Sequence, residues 1–308
     1  MSRRPLVTFI AFAGLAAAAA LAPAAPIDPH GRGARSPGAE LRERFERMHA
    51  DLEHNAFGRP LSLASRTEGH VLEGDVHARV DHPFAEVEQG LREAAEWCDV
   101  LVLPFNVRKC EAGRDGTTLS LFIARHKDSG VDDTYRIDFC FRREAEDRGY
   151  LHVALHAPSG PFGTHDYRIV LEAAPDDERR TIVHLNYSYG YGLMSQLAMQ
   201  AYLATAGADN VGFTVEGRDA DGRPAYVRDM RGVMERNTMR YYLAIEAYLA
   251  SLSAPPGARE DARLRAWFEA TERYPRQLHE MTLERYLALK HRDIAASSRD
   301  RRTASSSP

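Results

Sequence analysis

Between Leu119 and Tyr189 the chain alternates apolar and polar residues with period two, in five short runs separated by turn-forming residues. Leu119, Leu121 and Ile123 alternate with Ser120 and Ala124. Tyr135, Ile137, Phe139 and Phe141 alternate with Arg136, Asp138, Cys140 and Arg142. The same holds for Leu151, Val153 and Leu155 against His152 and His156, and for Tyr167, Ile169 and Leu171 against Arg168 and Glu172. It holds again for Val183, Leu185, Tyr187 and Tyr189 against His184, Asn186 and Ser188. Successive side chains of a strand point to opposite faces, so the pattern predicts an antiparallel meander whose odd-numbered face is buried. Turn-rich gaps such as Pro158 to Pro161 and Ala174 to Asp177 separate the runs.

On either side the period lengthens to that of a helix. Leu41, Phe45, Met48 and Leu52 stripe a helix over Ala39 to Leu52, and Phe84, Val87 and Leu91 stripe another that ends near Trp97 and Cys98. Leu61 to Ala64 and His70 to Val80 read as extended. After Gly190-Tyr-Gly192 a helix is expected over Leu193 to Thr205, then a hairpin around Asp219 to Gly222. The longest helix is expected from Asp229 to Leu252, with Met234, Asn237, Tyr241, Ile245, Tyr248 and Leu252 on one face. Two charged helices follow, Arg259 to Arg273 and Arg276 to Arg292, and their narrow apolar stripes predict a peripheral extension.

A strand, a short helix ending near Trp97, an antiparallel meander and a long closing helix come in the order of the helix-grip fold. On that order His70 to Leu252 resembles the START-like superfamily of lipid-transfer START domains and birch-pollen-allergen-like proteins. The expected class is therefore α+β: a curved antiparallel sheet gripping a long C-terminal helix, with extra C-terminal helices. The resemblance implies an apolar ligand held between sheet and helix, although a minority of that superfamily are cyclases or hydrolases. The expected divisions are a signal peptide (1–24), a linker (25–38), a helix-grip-like domain with an N-terminal helix (39–254), a helical extension (255–294) and a disordered tail (295–308).

If sheet and helix enclose space, its lining should come from the odd-numbered strand positions and one face of the long helix. The candidate lining is Tyr135, Phe139, Phe141, Tyr187, Tyr189, Asn237, Tyr241 and Tyr248, an aromatic wall with phenol handles suited to a lipid or sterol-like molecule. The same residues would equally fill a solid core. Asn237 is either a partner for a ligand or satisfied within the chain. The opposite face carries Arg136, Asp138, Arg142, His152, His156, Arg168, His184 and Asn186, expected to pair across strands in water. An inverted register would bring them inside and make His152, His184 and Asp138 an acid/base cluster.

No catalytic residues are assigned, because no Gly-x-Ser-x-Gly, P-loop or His-Glu-x-x-His motif occurs. Gly190-Tyr-Gly192 lacks the third glycine of a dinucleotide fingerprint and follows a meander rather than a parallel strand, so no cofactor is expected. No metal is expected either: His152 and His156 lie ~13 Å apart along one strand, too far to share an ion.

The first residues bear on location. Arg3 and Arg4 precede an uncharged run, Leu6 to Leu21, and Ala22-Pro23-Ala24 offers a small-residue cleavage site, so an exported, periplasmic or secreted protein is expected. Loss of those arginines takes the net charge from −4 to −6, which argues against nucleic acid as a partner. An apolar small molecule is the expected partner, and the charged C-terminal helices are a candidate dock for an envelope protein. Of the three cysteines, Cys98 and Cys110 are the expected disulfide, tying a helix end to the following strand, although three pairings, or three free thiols, are compatible with the sequence.

Overall fold

The computed structural model describes residues 36–144, 149–193, 196 and 210–305. The expected signal peptide and nearly all of the expected linker lie outside the described residues, as does most of the expected helix Leu193 to Thr205. Ser36 caps the first helix, its Oγ accepting from the Ala39 amide at 3.4 Å, and Pro37 opens it where a missing N–H costs nothing.

Helices α1 (Pro37–Arg47) and α2 (His49–Glu53) lead into a hairpin of β1 (Leu61–Glu68) and β2 (Val71–Val80), turned at Gly69 with φ 56°. Two short helices follow, α3 (Phe84–Leu91) and α4 (Ala94–Leu101). The meander is then β3 (Val107–Ala112), β4 (Thr118–Ala124), β5 (Thr134–Glu144), β6 (Leu151–Ser159), β7 (Thr164–Pro175) and β8 (Thr181–Tyr191). A separate small hairpin, β9 (Val215–Arg218) and β10 (Pro224–Tyr226), precedes the long helix α5 (Asp229–Ser251). The chain closes with α6 (Arg259–Glu272), α7 (Pro275–Leu278) and α8 (Leu283–Ser305).

The eight main strands are all antiparallel, in the order β1-β2-β8-β7-β6-β5-β4-β3. Strand β2 pairs with β8 while β3 forms the far edge, so α3 and α4 carry the chain across the width of the sheet. This is the helix-grip order, with β1 added at one edge and α6 to α8 added after the gripped helix. The register places odd positions of β8 opposite even positions of β2, as in Leu185 with Val76 and Val183 with Ala78. One face therefore carries Leu72, Val76, Leu121, Phe139, Val153, Ile169 and Leu185 into a single core.

Helix α5 is buried around most of its circumference, which marks it as core. It packs most extensively on the following helix, α6, and on the sheet chiefly against β2 and β1. Close approach there depends on Gly74: a Cβ added to it would collide with Thr238 Oγ1 and lie 3.1 Å from Met234 Cγ. Helices α1 and α2 cover part of the other sheet face with a second, smaller core of Leu41, Phe45, Leu52, Tyr150, Ala174 and Ile182. The disulfide Cys98–Cys110 is formed, joining α4 to β3 with 5.2 Å between Cα atoms.

The C-terminal helices correct the sequence expectation, because they are not peripheral. Leu264, Trp267, Leu278, Met281 and Tyr286 belong to the main core. Tyr286 donates to the Leu103 carbonyl at 2.8 Å, and the buried Lys290 ammonium donates to the carbonyls of Val102, Pro104 and Val107 at 2.6, 2.7 and 2.6 Å. Burial pulls the Lys290 pKa down to about 7. Arg108 and Asp293 form a buried pair beside it at 3.5 Å. A stripe that looks thin in sequence suffices because buried polar anchors supplement it. Helix α8 also runs through Ser305, past residue 294, where the sequence predicts that order ends; Ile294 packs on the core and Ser297 Oγ donates to the Asp293 carbonyl at 2.9 Å.

Two outcomes follow. A chain ended after Ala258 should lose cooperative thermal unfolding, measured by circular dichroism, because it loses core residues and the partners of the 102–107 carbonyls. Gly74→Ala should lower stability by about 1–3 kcal/mol in chemical denaturation, the cost of overpacking a tight contact.

Candidate functional site

A cavity of about 560 Å³ lies between the sheet and α5. Its sheet side is Leu121 and Ile123 of β4, Ile137 and Phe139 of β5, Tyr167 and Ile169 of β7, and Tyr187 and Tyr189 of β8. All are odd-numbered, as the alternation requires. The helix side is Met230, Val233, Asn237, Arg240 and Tyr241, and the rim includes Asn106, Arg125, Phe162 and Thr164. The space exists because α5 sits close to the sheet at Gly74 and is held off it on the other side by phenol rings. Tyr167 stacks on Tyr189 at 5.1 Å, and Tyr187 meets Tyr241 edge-on at 5.1 Å, bridging sheet and helix. Tyr167 donates to Thr164 Oγ1 at 2.8 Å. Burial holds all four phenols above their ordinary pKa, so they act as neutral hydrogen-bonding groups.

Five of the eight residues expected from sequence line this cavity: Phe139, Tyr187, Tyr189, Asn237 and Tyr241. Three do not. Phe141 packs in the core opposite Leu155. Tyr248 packs beside Gly90 under the Arg263 guanidinium, 5.4 Å from its ring centroid. Tyr135 stands outside the lining, with Arg125 3.9 Å over its ring and Phe162 edge-on at 5.1 Å. The reason is length. Tyr248 lies ~16 Å along α5 from Asn237, beyond the end of the cavity, and strand β5 likewise outruns it. Asn237 is half-buried, and its Oδ1 accepts from the side chain of Arg240 at 3.4 Å.

Sequence reasoning missed Arg240, Phe162 and the sheet residues Tyr167, Ile137 and Ile169. The last three share the odd-numbered face already identified. Arg240 gave only one signal, its spacing of three from Asn237, because an arginine on a helix ordinarily reads as solvent-facing. Phe162 sits in a turn at φ 58° and is 58% exposed, which no periodicity announces.

The polar face divides in two. Asp138 is in water with Ser120 Oγ at 2.5 Å and Arg136 Nε at 2.8 Å, and exposed His156 bonds Asp166 at 2.8 Å. His184 instead lies beneath α1, and Asn186 beside it donates to Glu73 at 2.6 Å and to Asp75 at 2.9 Å. His184 places Nδ1 2.7 Å from Glu172 and Nε2 2.9 Å from Asp75, and Arg44 of α1 reaches Glu172 at 3.3 Å. Tyr150 donates to Glu172 at 2.6 Å, and His77 stacks on His184 at 4.2 Å. His152 faces Tyr150 and sits six residues, ~20 Å, of strand register from Asp138. His152, His184 and Asp138 are therefore not one cluster, and none of them lines the cavity.

Both His184 nitrogens face carboxylates. Burial lowers its pKa, but the bonds to Asp75 and Glu172 outweigh this and raise it. Burial raises Glu172, but His184 and Tyr150 outweigh that and bring it to about 2. Burial and the neighbouring His184 charge push His77 down to about 3. The cluster fastens α1 to the sheet.

Another groove, of about 810 Å³, lies beside the disulfide. Its lining is more highly charged than that of the first, and includes Arg263 paired with Asp99 at 2.6 Å and Lys109 paired with Glu111 at 2.8 Å. Among the described residues no cluster of three or more His, Cys, Asp or Glu is placed to hold a metal, and no helix is long and apolar enough to cross a membrane.

No protein-family model and no curated protein sequence matches the chain. Solved structures similar to it include START-superfamily and other helix-grip proteins. Human StAR-related lipid transfer protein 5 is 10% identical at a TM-score of 0.29, over 54% of this chain and 89% of that one. The Streptomyces aromatase/cyclase Zhui is 14% identical at 0.32, over 66% and 96%. Norcoclaurine synthase of Thalictrum flavum is 15% identical at 0.32, over 48% and 89%. At such scores the helix-grip assignment stands on the strand order of this chain.

The His184 cluster carries a pH prediction. A histidine whose pKa is raised on folding stabilises most fully below its unfolded value of about 6.5, and that contribution fades as pH rises through the folded value. The melting-temperature gap between wild type and His184→Gln should therefore be widest below pH 6.5 and should narrow toward pH 9.

Proposed function

We propose that the protein binds an apolar small molecule, lipid-like or sterol-like, in the cavity between sheet and α5. The observation that carries this is a space of about 560 Å³, walled on the sheet side by aliphatic and aromatic residues and furnished with only a few polar groups. Volume and lining both match ordinary small-molecule sites, which run to ~300–1,000 Å³ and are mostly apolar. Transferring an apolar molecule from water into such a wall is favourable by ~25 cal/mol per Å² of apolar surface buried.

The same proposal includes export and a carrier role outside the cytoplasm. Two features support it: the charged start, apolar run and Ala22-Pro23-Ala24 of the N-terminus, and a Cys98–Cys110 disulfide of the kind that persists in oxidising compartments.

Nile red supplied to the purified protein should be bound with a blue-shifted, enhanced emission. Ile169→Trp and Ile123→Trp, which fill the cavity from two strands, should each abolish uptake while leaving the far-ultraviolet circular dichroism intact. No uptake by wild type, or unchanged uptake by both well-folded variants, would count against the cavity as the site. Protein recovered from an envelope fraction should begin at Ala25 by intact mass; an intact Met1 would count against export.

A further inference from the structure

We infer that the ligand is a planar ring bearing an oxygen function and a single aliphatic chain, its ring against the tyrosines and its chain toward β4 and β5. This deepens the proposed function and rests on it. The sheet wall of the cavity is divided by residue type along the strand order. Strands β7 and β8 contribute Tyr167, Tyr187 and Tyr189, with Ile169 the one aliphatic among them. Strands β4 and β5 contribute Leu121, Ile123, Ala124 and Ile137, with Phe139 the one ring. Strand β6 lies between and adds nothing to the lining, so the two halves are centred three strand spacings apart, ~14 Å.

Each half offers its own kind of contact. Leu121 and Ile137 are directly opposed in the register of β4 and β5. At the other end Tyr167, Tyr187, Tyr189 and Tyr241 are joined by ring contacts at 5.1 to 6.5 Å, with Tyr241 reaching in from α5. Such rings give a planar ligand ring offset-stacked or edge-on contacts that a saturated chain cannot make. Branched aliphatics instead give a flexible chain dispersion contact along its length. Size points the same way. At ~30 Å³ for each water-sized group, a space of about 560 Å³ takes ~19 non-hydrogen atoms. One ring with one chain fills it, and the two chains of a membrane phospholipid exceed it. The oxygen function follows from Tyr189. This residue lines the cavity, is 5% exposed, and its hydroxyl has no hydrogen-bond partner among the described residues. Tyr167, by contrast, is satisfied by Thr164. A ligand that strips water from an unpartnered hydroxyl and offers no replacement loses affinity, whereas a hydroxyl or carbonyl on the ligand ring supplies the missing bond.

Four probes competing with Nile red separate the cases: 4-octylphenol, octylbenzene, tetradecan-1-ol and phenanthren-2-ol. Each dissociation constant is referred to the same compound's octanol–water partition, so that differences in hydrophobicity cancel. On that scale 4-octylphenol should bind about two- to tenfold more tightly than tetradecan-1-ol, the span of one aromatic pair beyond its buried area, and more tightly than the chainless phenanthren-2-ol. Tyr189→Phe should weaken 4-octylphenol about two- to tenfold, the span of one hydrogen bond, and leave octylbenzene unchanged. Leu121→Ala lengthens the aliphatic end and should raise the affinity of 4-dodecylphenol relative to 4-octylphenol, a gain that misfolding cannot mimic. Equal corrected affinity for 4-octylphenol and tetradecan-1-ol, tighter binding of phenanthren-2-ol, or equal weakening of 4-octylphenol and octylbenzene by Tyr189→Phe would overturn the ring-and-chain assignment while leaving an apolar site standing. Failure of all four probes and of Nile red would overturn both readings.

Discussion

The seating of α5 on the sheet governs the rest of this structure. On one side Gly74 removes a side chain and lets the helix settle against β2, with Thr238 and Met234 filling the place a Cβ would take. On the other side Tyr187 and Tyr241 stand between the same helix and β8, rings edge-on at 5.1 Å. A rigid helix brought close at one flank and propped at the other leaves a wedge of space that packing alone does not fill. Protein interiors ordinarily close such gaps, since unfilled volume forfeits dispersion contacts. Here the phenols are braced by one another and by Thr164, so the wall holds without collapse.

Buried charge is distributed along the elements that keep the helix in place. Glu235, fully buried on α5, accepts from Ser65 Oγ, from the Phe213 and Thr214 amides and from Thr214 Oγ1, which fastens the segment before β9 to helix and sheet together. Arg59, Tyr242 and Glu246 form a second knot between the loop before β1 and the middle of α5. Lys290 forms a third, between α8 and the 102–107 segment. Each of these groups is costly to bury alone and becomes tolerable only when every donor or acceptor is matched. Removing one member of a knot therefore strands the others.

Much of this was legible in the chain. The odd-numbered alternation of β4 to β8 placed Phe139, Tyr187 and Tyr189 on the inner face, and the three-and-four spacing of Asn237 and Tyr241 placed both toward it. Alternation says which face a residue occupies but not how far along a strand the cavity extends, so Phe141 and Tyr248 were put in the lining by face and excluded by position. The weak stripes of α6 and α8 read as peripheral because a hydrophobic pattern cannot register an anchor such as Lys290, whose burial depends on carbonyls nearly two hundred positions away, or Asp293, whose partner Arg108 is as distant. The outer face reads as wet throughout in the sequence, whereas α1 covers His184 and Glu172.

The sequence by itself determined the five alternating strands from Leu119 to Tyr189, their inward face, the long helix and the pairing of Cys98 with Cys110 as the favoured bridge, because all of these follow from periodicity and short separations. The tertiary structure alone decided that a space remains between sheet and helix, that its helix wall carries Arg240, and that the C-terminal helices complete the core. Those features arise where residues distant in the chain meet, and the spacing of neighbours holds no record of the distance between surfaces.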